Sequence, residues 1–538
     1  MAQSSQDTVI IELKDTIDKL SSTVDTLNRL LAESGKREAA LQEQVDYLTK
    51  KLFGRSSEKH ITQIDGQMSL FNEVETECDV NVSDDTGETV RVKEHIRKKK
   101  PTNDEKLGDI PVEDVVIELP KEDQVCPQCG SELETIGKKF IREELQYIPA
   151  KVKRIRYYET SYRCRSCCEG LNGADRGVII RSTIPGPLLS NSPASPSSVA
   201  WTIYQKYVNA MPLYRQEKDW QTLYGITLTR ATLAGWIIKC SERYLKPLYE
   251  LFRKELLKRR FLMADETRVQ VLKEPGRNPE TDSFMWLFRT GEDGRDPIII
   301  YWYTETRAKY NAVEFLDGFE GYLMTDGYQG YNDLPGVKRC CCWAHVRRGF
   351  VDAIPKDHKG DLSHPAVQAV AYCDKLFHYE AISAEKKHSS EQRMSFRLKK
   401  EKPVIEAFLQ WLDKQTPAVN TRLYKAVNYA RNHRDLLMTY LEDGRCSLSN
   451  NLSENAIRPF TVGRKNWLFA DTPSGAEASA ICYTMVEMAK AYGLNPFNYL
   501  EYVLGNHDLI STDRIEELVP WNPEIKLALA KEKNDKGQ

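Results

Sequence analysis

The stretch F-L-M-A-D-E-T-R-V-Q-V-L, residues Phe261 to Leu272, decides the fold of this chain. Its apolar run ends at Asp265, and an alternation of apolar and polar residues follows, which predicts a hairpin of two buried strands. A second apolar run, G-Y-L-M-T-D-G-Y from Gly321 to Tyr328, also ends in an acid, Asp326. Both aspartates are therefore expected at strand ends, where the main chain fixes a carboxylate, and Gly327 is expected to let a ligand approach.

The segments around these two runs predict a mixed sheet with one helix on it. The predicted strands are Phe261–Asp265, Val269–Leu272, Phe284–Thr290, Pro297–Tyr303, Tyr322–Thr325 and Lys338–Trp343, and the predicted helix is Arg307–Asp317. An antiparallel meander, followed by a helix and parallel strands, would put Asp265 and Asp326 on adjacent central strands.

A third acid, Glu454, lies in S-L-S-N-N-L-S-E-N-A-I-R-P-F-T-V-G-R-K-N-W-L-F-A, residues Ser447 to Ala470. The good N-cap residues at 449–451 predict a helix that carries Glu454 in its first turns. Arg458 would stack one turn later, and Pro459 would end or kink the helix. The plain alternative is a surface ion pair between Glu454 and Arg458.

Two strand aspartates and a helix glutamate make an oxygen-only cluster. Mg²⁺ or Mn²⁺ prefers such ligands, and two-metal phosphoryl transfer uses them. A carboxylate among basic side chains also suits a site that holds a metal together with a phosphate backbone. The basic side chains expected to contact DNA here are Arg458, Arg464 and Lys465.

Further motifs lie along nearly the whole chain. They are L-F-G-R-S-S-E-K (Leu52–Lys59), C-P-Q-C-G (Cys126–Gly130), A-S-P-S-S-V-A, P-L-Y-R-Q-E, C-W-A-H-V-R-R (Cys342–Arg348) and G-R-K-N-W-L-F after Glu454. With these motifs the sequence resembles the transposases of the insertion-sequence-66 family. The resemblance implies an RNase H-like mixed α/β catalytic domain with a DDE triad at Asp265, Asp326 and Glu454.

The resemblance also implies an activity: metal-activated water cuts a phosphodiester at the element end, and the freed 3′-OH attacks target DNA. The implied partners are the terminal inverted repeats, the target DNA and companion proteins encoded by the element. Two alternatives are an RNase H-like structure-specific nuclease without strand transfer and a transposase-derived DNA-binding regulator. Glu266 adjoins Asp265 but is predicted to point to the opposite strand face, so it is expected to be dispensable.

The N-terminal region shows heptads, because apolar residues recur in steps of three and four from Ile10 to Leu52. β-branched residues or Leu at most a positions, with Leu at nearly all d positions, favour a parallel coiled coil and hence a homodimer or higher homo-oligomer. The alternative is an amphipathic helix packed on its own domain.

A charged segment follows the heptads. Residues 73–88 hold seven acids and no base, whereas Arg91 to Lys100 holds six bases and one Glu. Such blocks predict a solvated linker. The basic end of the segment is also a candidate for docking on DNA phosphates through Lys98, Lys99 and Lys100.

Two C-x-x-C pairs predict a structural Cys₄ zinc site in a ribbon, since zinc takes four thiolates in a closed tetrahedral site. The four cysteines are Cys126, Cys129, Cys164 and Cys167. Cys168 is an alternative fourth ligand, and a redox pair is the alternative to zinc. The ribbon would include a strand at Lys151–Tyr158.

Residues 185–198, rich in Pro and Ser, predict a linker before a helical region. The predicted helices are Val199–Asn209, Tyr214–Leu223 and Thr229–Leu245, with Thr229 as N-cap. A helix, a turn with Gly225 and a second helix is the layout of a helix-turn-helix, which would put Arg230 and Thr232 near a DNA groove. An ordinary helical bundle fits the pattern equally well.

Residues 344–446 have a polar, helical pattern and separate Asp326 from Glu454 by 128 positions, which predicts an inserted helical subdomain. The C-W-A-H segment at its start is a weak metal signature. Cys342 is expected to pack in the core, and His345 to be a neighbour of the active site.

Length, charge and cysteine pattern limit the domain number, the source of any DNA binding and the cellular compartment. The 538 residues suggest several domains, and a net charge of −2 requires any DNA binding to come from local basic patches. Clustered cysteines, no run that could span a membrane and no signal-peptide pattern predict a cytosolic, multidomain α+β protein. The predicted regions are a coiled-coil helix (1–60), a charged linker (61–110), a zinc ribbon (111–184), a helical DNA-binding region (185–258), the first part of the catalytic core (259–343), a helical insertion (344–446), the second part of the core (447–475) and a C-terminal helical region (476–538).

Overall fold

The computed structural model describes residues 186–536 apart from 356, 357, 359 and 513, together with residues 16, 19–30, 34, 152–158, 161–163 and 179–181. Several predicted features lie outside the described residues. They are the charged linker, the basic residues Lys98, Lys99 and Lys100, and the cysteines Cys126, Cys129, Cys164 and Cys167.

Residues 19–30 are helical, in agreement with the heptad pattern. Leu20, Val24 and Leu27 occupy d, a and d positions of that pattern, and 53–60% of each residue is exposed. The described part of the chain therefore leaves this apolar stripe uncovered.

Two short strands flank the second cysteine pair. β1 (Ser161–Arg163) and β2 (Ile179–Arg181) form an antiparallel two-stranded sheet. The predicted strand at Lys151–Tyr158 is wrong, because residues 152–158 have no regular secondary structure and are exposed.

Four helices follow: α1 (Pro196–Tyr207), α2 (Leu213–Tyr224), α3 (Arg230–Cys240) and, after one π-helical turn, α4 (Lys246–Leu257). Thr229 caps α3, since its hydroxyl accepts the Thr232 backbone N–H at 3.2 Å. The predicted linker at 185–198 is wrong: Leu188 and Leu189 are 3% exposed and belong to the same core as these helices. Ser195 then starts α1 with a capping box.

The predicted hairpin at Phe261–Leu272 is also wrong. These residues form one continuous strand, β3 (Phe261–Val271). Its residues Leu262 to Gln270 pair without interruption with β4 (Asp282–Thr290). The middle of the stretch, E-T-R, contains no Gly, Asn or Asp that would favour a turn, so the extended backbone continues through it.

The main sheet has the predicted mixed arrangement. Its order is β5-β4-β3-β6-β7, with β5 (Ile299–Thr304), β6 (Gly321–Thr325) and β7 (Val337–Cys341) as the remaining strands of that path. β3, β4 and β5 are antiparallel, whereas β3, β6 and β7 are parallel. The crossover from β5 to β6 carries α5 (Lys309–Phe315). This is the RNase H-like sheet that the pattern predicts, with β3 at its centre.

The insertion is helical in its described residues, as predicted. It comprises α6 (Trp343–Asp352), α7 (Pro365–Glu385), α8 (Ser390–Lys400), α9 (Lys402–Asp413) and α10 (Arg422–Asn432). These helices share a second apolar core with residues of β6 and β7, including Met324 and Cys340. The insertion is therefore packed against the parallel half of the sheet.

The chain returns to the sheet through α11 (Asn451–Trp467) and β8 (Phe469–Ala470), which pairs with the end of β3. Pro459 does not end α11, contrary to one predicted outcome. The hydrogen bond that Pro459 omits would go to the carbonyl of Asn455, which is an exposed residue that water can reach. The remaining helices are α12 (Pro473–Ala491), α13 (Pro496–Gly505) and α14 (Pro523–Lys536).

Candidate active site

Asp265 and Asp326 lie level on adjacent parallel strands. The register pairs Met263 of β3 with Met324 of β6, and each aspartate is two residues further on. Asp265 Oδ1 accepts the backbone N–H of Glu266 at 2.9 Å, and Asp326 Oδ1 accepts that of Tyr328 at 2.9 Å. Backbone geometry thus holds both carboxylates at the centre of the sheet, as predicted for adjacent strands. The expectation that Asp265 ends a strand is wrong, because β3 continues past it to Val271.

Burial, together with the neighbouring charges of Glu266, Glu454 and Asp326, raises the pKa of Asp265 to about 8. A carboxyl group with this environment is destabilised in its ionised form. A bound cation would remove that penalty, because its charge opposes the repulsion among the acids. The electrostatics therefore fit a cation site.

The loop after β6 is fixed by a buried arginine. Arg339, 6% exposed, donates to the Thr325 hydroxyl at 2.9 Å and to the Asp326 backbone carbonyl at 2.5 Å. The expected role of Gly327 is wrong. A Cβ atom on Gly327 would lie 2.5 Å from the Tyr429 ring, so this glycine makes room for α10 rather than for a ligand.

Glu454 is placed by contacts between α11 and the sheet. Asn450 precedes the helix, as expected of an N-cap, but its side chain makes no capping bond. Instead its Nδ2 donates to the Ala264 carbonyl of β3 at 2.9 Å. Arg289 of β4 donates to the Leu452 carbonyl at 3.0 Å. The first turn of α11 is thereby tied to the two strands beside Asp265.

The Glu454 carboxylate pairs with α6, not with Arg458 as in the plain alternative. Arg348 Nη2 lies 3.0 Å from Oε2, and His345 Nδ1 lies 3.7 Å from Oε1. Burial lowers the pKa of His345, while the nearby Glu454 raises it. The expectation that His345 is a neighbour of the site agrees with this geometry. Arg348 was missed, although it lies in the same C-W-A-H-V-R-R motif.

Glu266, predicted to point to the strand face opposite Asp265, is buried and has two side-chain partners. Its side chain is 2% exposed, forms an ion pair with Arg307 and accepts a hydrogen bond from the Tyr331 hydroxyl. Arg307 in turn lies 3.9 Å from Asp326 Oδ2 and stacks on the Tyr328 ring, with the guanidinium carbon 3.6 Å from the ring centre. A buried network behind β3 thus reaches the second aspartate, and alternation alone gave no sign of it.

The described basic residues that were predicted to contact DNA lie on two helices, α11 and α3. Arg464 donates to the Thr267 hydroxyl of β3 at 3.1 Å, two residues beyond Asp265. Arg458 and Lys465 are exposed, and the helical period puts them on the same side of α11 as Glu454. Arg230 is exposed at the start of α3. The basic residues of α11 are therefore the ones beside the acidic cluster.

The comparisons with known proteins agree with this architecture. A family model described as "Transposase IS66 family" matches residues 191–478, which is more than half of the chain. The chain belongs to the IS66 family of transposases. Two further models match this IS66 family member: "zinc-finger binding domain of transposase IS66" at residues 123–168, and "Transposase C of IS166 homeodomain" at residues 40–115.

Two proteins of Sinorhizobium fredii are similar to this chain over most of their length. The uncharacterized protein y4jD of Sinorhizobium fredii (strain NBRC 101917 / NGR234) is 28% identical over 526 residues, covering 94% of this chain and 97% of the relative. The uncharacterized protein y4hP of the same strain is 26% identical over 508 residues, covering 90% and 88%.

Membership of the family makes this IS66 protein a transposase with a DNA-binding role. The zinc-finger match supports a structural zinc ion, and all four predicted cysteine ligands fall within it. Among the described residues, no helix is both long enough and apolar enough to cross a membrane.

Proposed function

We propose that this IS66 protein cleaves a phosphodiester at each end of a mobile element and joins the freed 3′-OH to target DNA, with Asp265, Asp326 and Glu454 as its DDE triad. The observation that carries the proposal is the convergence of the three acids. Two lie level on the adjacent strands β3 and β6, the helix of the third is tied to β3 and β4, and both Asp326 and Glu454 raise the pKa of Asp265.

The donor set of these acids fits Mg²⁺ or Mn²⁺, because hard divalent cations take carboxylate oxygens. When bound, such ions supply an activated nucleophile and stabilise charge on the leaving oxygen. Glu454 Oε1 supports the fit, since it is buried and has no hydrogen-bond partner. Asp265 and Asp326 would hold the ions from the sheet, and Glu454 would complete the coordination from α11.

The remaining side chains around the cluster orient DNA and the acids. Arg458, Arg464 and Lys465 on α11 would hold the phosphate backbone without reading its sequence. Arg307, anchored by Glu266, would keep the Asp326 carboxylate facing the cluster. Arg230 on α3 and the basic run Lys98, Lys99 and Lys100 are proposed as further DNA contacts.

Pairing of two DNA ends calls for more than one protomer. We assign this role to the N-terminal heptads, whose described residues Leu20, Val24 and Leu27 are exposed. Cys126, Cys129, Cys164 and Cys167 are proposed as the zinc ligands of the finger, with Cys168 as the alternative to Cys167. The substrates are the terminal inverted repeats and target DNA, with companion element-encoded proteins as further partners.

The test is to incubate purified full-length protein with DNA bearing an element end, a target plasmid and Mg²⁺, and to sequence the products. The expected products are nicks at the element boundary and end–target junctions. Cleavage without junctions would favour a nuclease, and binding without cleavage would favour a regulator. Either result would overturn the proposed strand transfer.

A further inference from the structure

A cysteine and a histidine approach Glu454 from the start of α6. Cys342 is the N-cap of α6, and His345 lies in its first turn. One ligand atom from each of Cys342, His345 and Glu454 lies within 4.8 Å of the others, and His345 Nδ1 is 3.7 Å from Glu454 Oε1. Zinc bonds of about 2.0–2.3 Å place the ligand atoms of a tetrahedron roughly 3.3–3.8 Å apart. A small closing movement would therefore give a metal site.

Two of these atoms have no other partner. His345 Nδ1 and Glu454 Oε1 are both buried and form no hydrogen bond. Arg348 engages the other carboxylate oxygen, Oε2, at 3.0 Å and the other imidazole nitrogen, Nε2, at 3.4 Å. Buried polar atoms are almost always paired in folded proteins, so two unpaired atoms that face each other point to a missing ligand between them.

The third atom, the Cys342 sulfur, accepts backbone hydrogen bonds. The Cys342 sulfur accepts the backbone N–H of Asn450 at 3.1 Å and that of His345, at the N-terminal end of α6. Such donors favour a negatively charged sulfur. A metal that binds this thiol displaces its proton.

We propose that Cys342, His345 and Glu454 form a binding site for zinc, distinct from the zinc finger. A sulfur, an imidazole nitrogen and a carboxylate oxygen suit zinc, whereas Mg²⁺ does not take thiolate. Three protein ligands leave a fourth position open. The site itself stands on these three side chains alone. Its consequence rests on the proposed function: zinc engages Glu454 and so withdraws it from the Mg²⁺ centre, which inhibits cleavage.

Cobalt tests the site without reference to activity. Full-length protein that retains its finger zinc is titrated with Co²⁺, and the sulfur-to-cobalt charge-transfer band is recorded while a zinc indicator monitors release from the finger. The expected result is one Co²⁺ per chain with the thiolate band and no zinc release. Absence of that band in the unmodified protein would overturn the proposal, and this outcome does not depend on the folding of any variant.

Variants identify the ligands. C342S should lose the band, and H345A should weaken cobalt binding by about tenfold or more, the usual effect of a damaged metal shell. C373S is the matched control, because Cys373 is an equally buried thiol in α7 and should leave the band unchanged. A band that persists in C342S would refute the site.

Cleavage in Mg²⁺ with added Zn²⁺ then tests the consequence. Each protein is compared with its own zinc-free rate. Zinc should inhibit the unmodified protein and C373S but not C342S. Equal inhibition of all three proteins would overturn the regulatory role. A cobalt band in a protein that never cleaves DNA would instead overturn the proposed function while supporting the zinc site, so the two failures are distinguishable.

Discussion

Two regions of the molecule hold the acidic cluster in different ways. Asp265 and Asp326 are set by the register of β3 and β6, so their spacing follows from backbone hydrogen bonds. Glu454 comes from α11, beyond the helical insertion, and its position depends on side-chain contacts made by Asn450 and Arg348. A register leaves a carboxylate little freedom, whereas a few side-chain contacts can be weakened singly.

The difference separates two kinds of mutational effect. Removing a carboxylate from the strands should abolish cleavage almost entirely. The backbone holds the uncharged replacement side chain in the centre of the site, where the carboxylate was. Removing a contact that positions α11 should instead give a graded loss, because the helix retains its other contacts with the sheet, such as Arg289 with the Leu452 carbonyl.

The largest effect is expected for Asp326→Asn or Asp265→Asn. Each should slow cleavage on the order of a thousandfold or more, because groups that act as a unit fail together when one is removed. Affinity for DNA should be kept or should rise slightly, since a negative charge near the phosphates is lost. Single-turnover cleavage and fluorescence anisotropy measure the two quantities. A loss of only a few-fold in cleavage rate would contradict the role given to the strand pair.

Asn450→Ala tests the anchoring of α11. Asn450 is 1% exposed, and its loss leaves the buried Ala264 carbonyl without its donor, which should cost about 1–3 kcal/mol of unfolding free energy. A shift of Glu454 by about 1 Å should slow cleavage by up to about a hundredfold. Urea unfolding and cleavage rates are the measurements. Asn455→Ala, an exposed change on the same helix, should leave both nearly unaltered.

Glu266→Gln should have a smaller effect on the strand region. Gln cannot balance the charge of Arg307, which then has only Asp326 as its nearby acid. We expect the Mg²⁺ concentration for half-maximal cleavage to rise by about tenfold, as for other residues that orient metal ligands. Glu305→Gln, an exposed change nearby, is the control. An unchanged Mg²⁺ requirement would show that this network does not position Asp326.

The last prediction concerns the pH dependence of stability rather than the rate of cleavage. The pKa of Asp265 is raised from 3.8 to about 8 in the folded protein, so between these values the folded state binds more protons than the unfolded state. The Asp265 contribution to metal-free stability should therefore fall as pH rises from about 4 to about 8. Asp265→Asn should lack this fall. Thermal unfolding of both proteins without divalent metal checks the prediction, and parallel pH profiles would contradict it.

Sequence patterns predicted the sheet region well because its information is local. Apolar runs ending in Asp265 and Asp326 gave the strands, and chain order gave their adjacency. The false hairpin within β3 arose because a polar interruption resembles a turn until the partner strand is known. Nine consecutive residues of β3 pair with β4, so cross-strand hydrogen bonding overrides the local signal.

Sequence patterns could not predict the contacts around Glu454, because these contacts connect residues that are far apart in the chain. Asn450 was recognised as a residue that begins a helix, but its hydrogen bond to Ala264 spans 186 positions. Arg348 and Glu454 are separated by 106 positions. The partners of Glu266 were missed for a related reason: strand alternation gives a face but does not say whether another element, here Arg307 and Tyr331, covers that face.

The central claim is that Glu454 works together with the two strand aspartates. The most direct measurement is the single-turnover rate of Mg²⁺-dependent cleavage of an element end by Glu454→Gln, beside Glu516→Gln as an exposed acidic control. Glu454→Gln should lose cleavage activity on the order of a thousandfold, whereas the Glu516→Gln control should cleave normally. Cleavage by Glu454→Gln at the unmodified rate would contradict the account and move the third acid elsewhere in the chain.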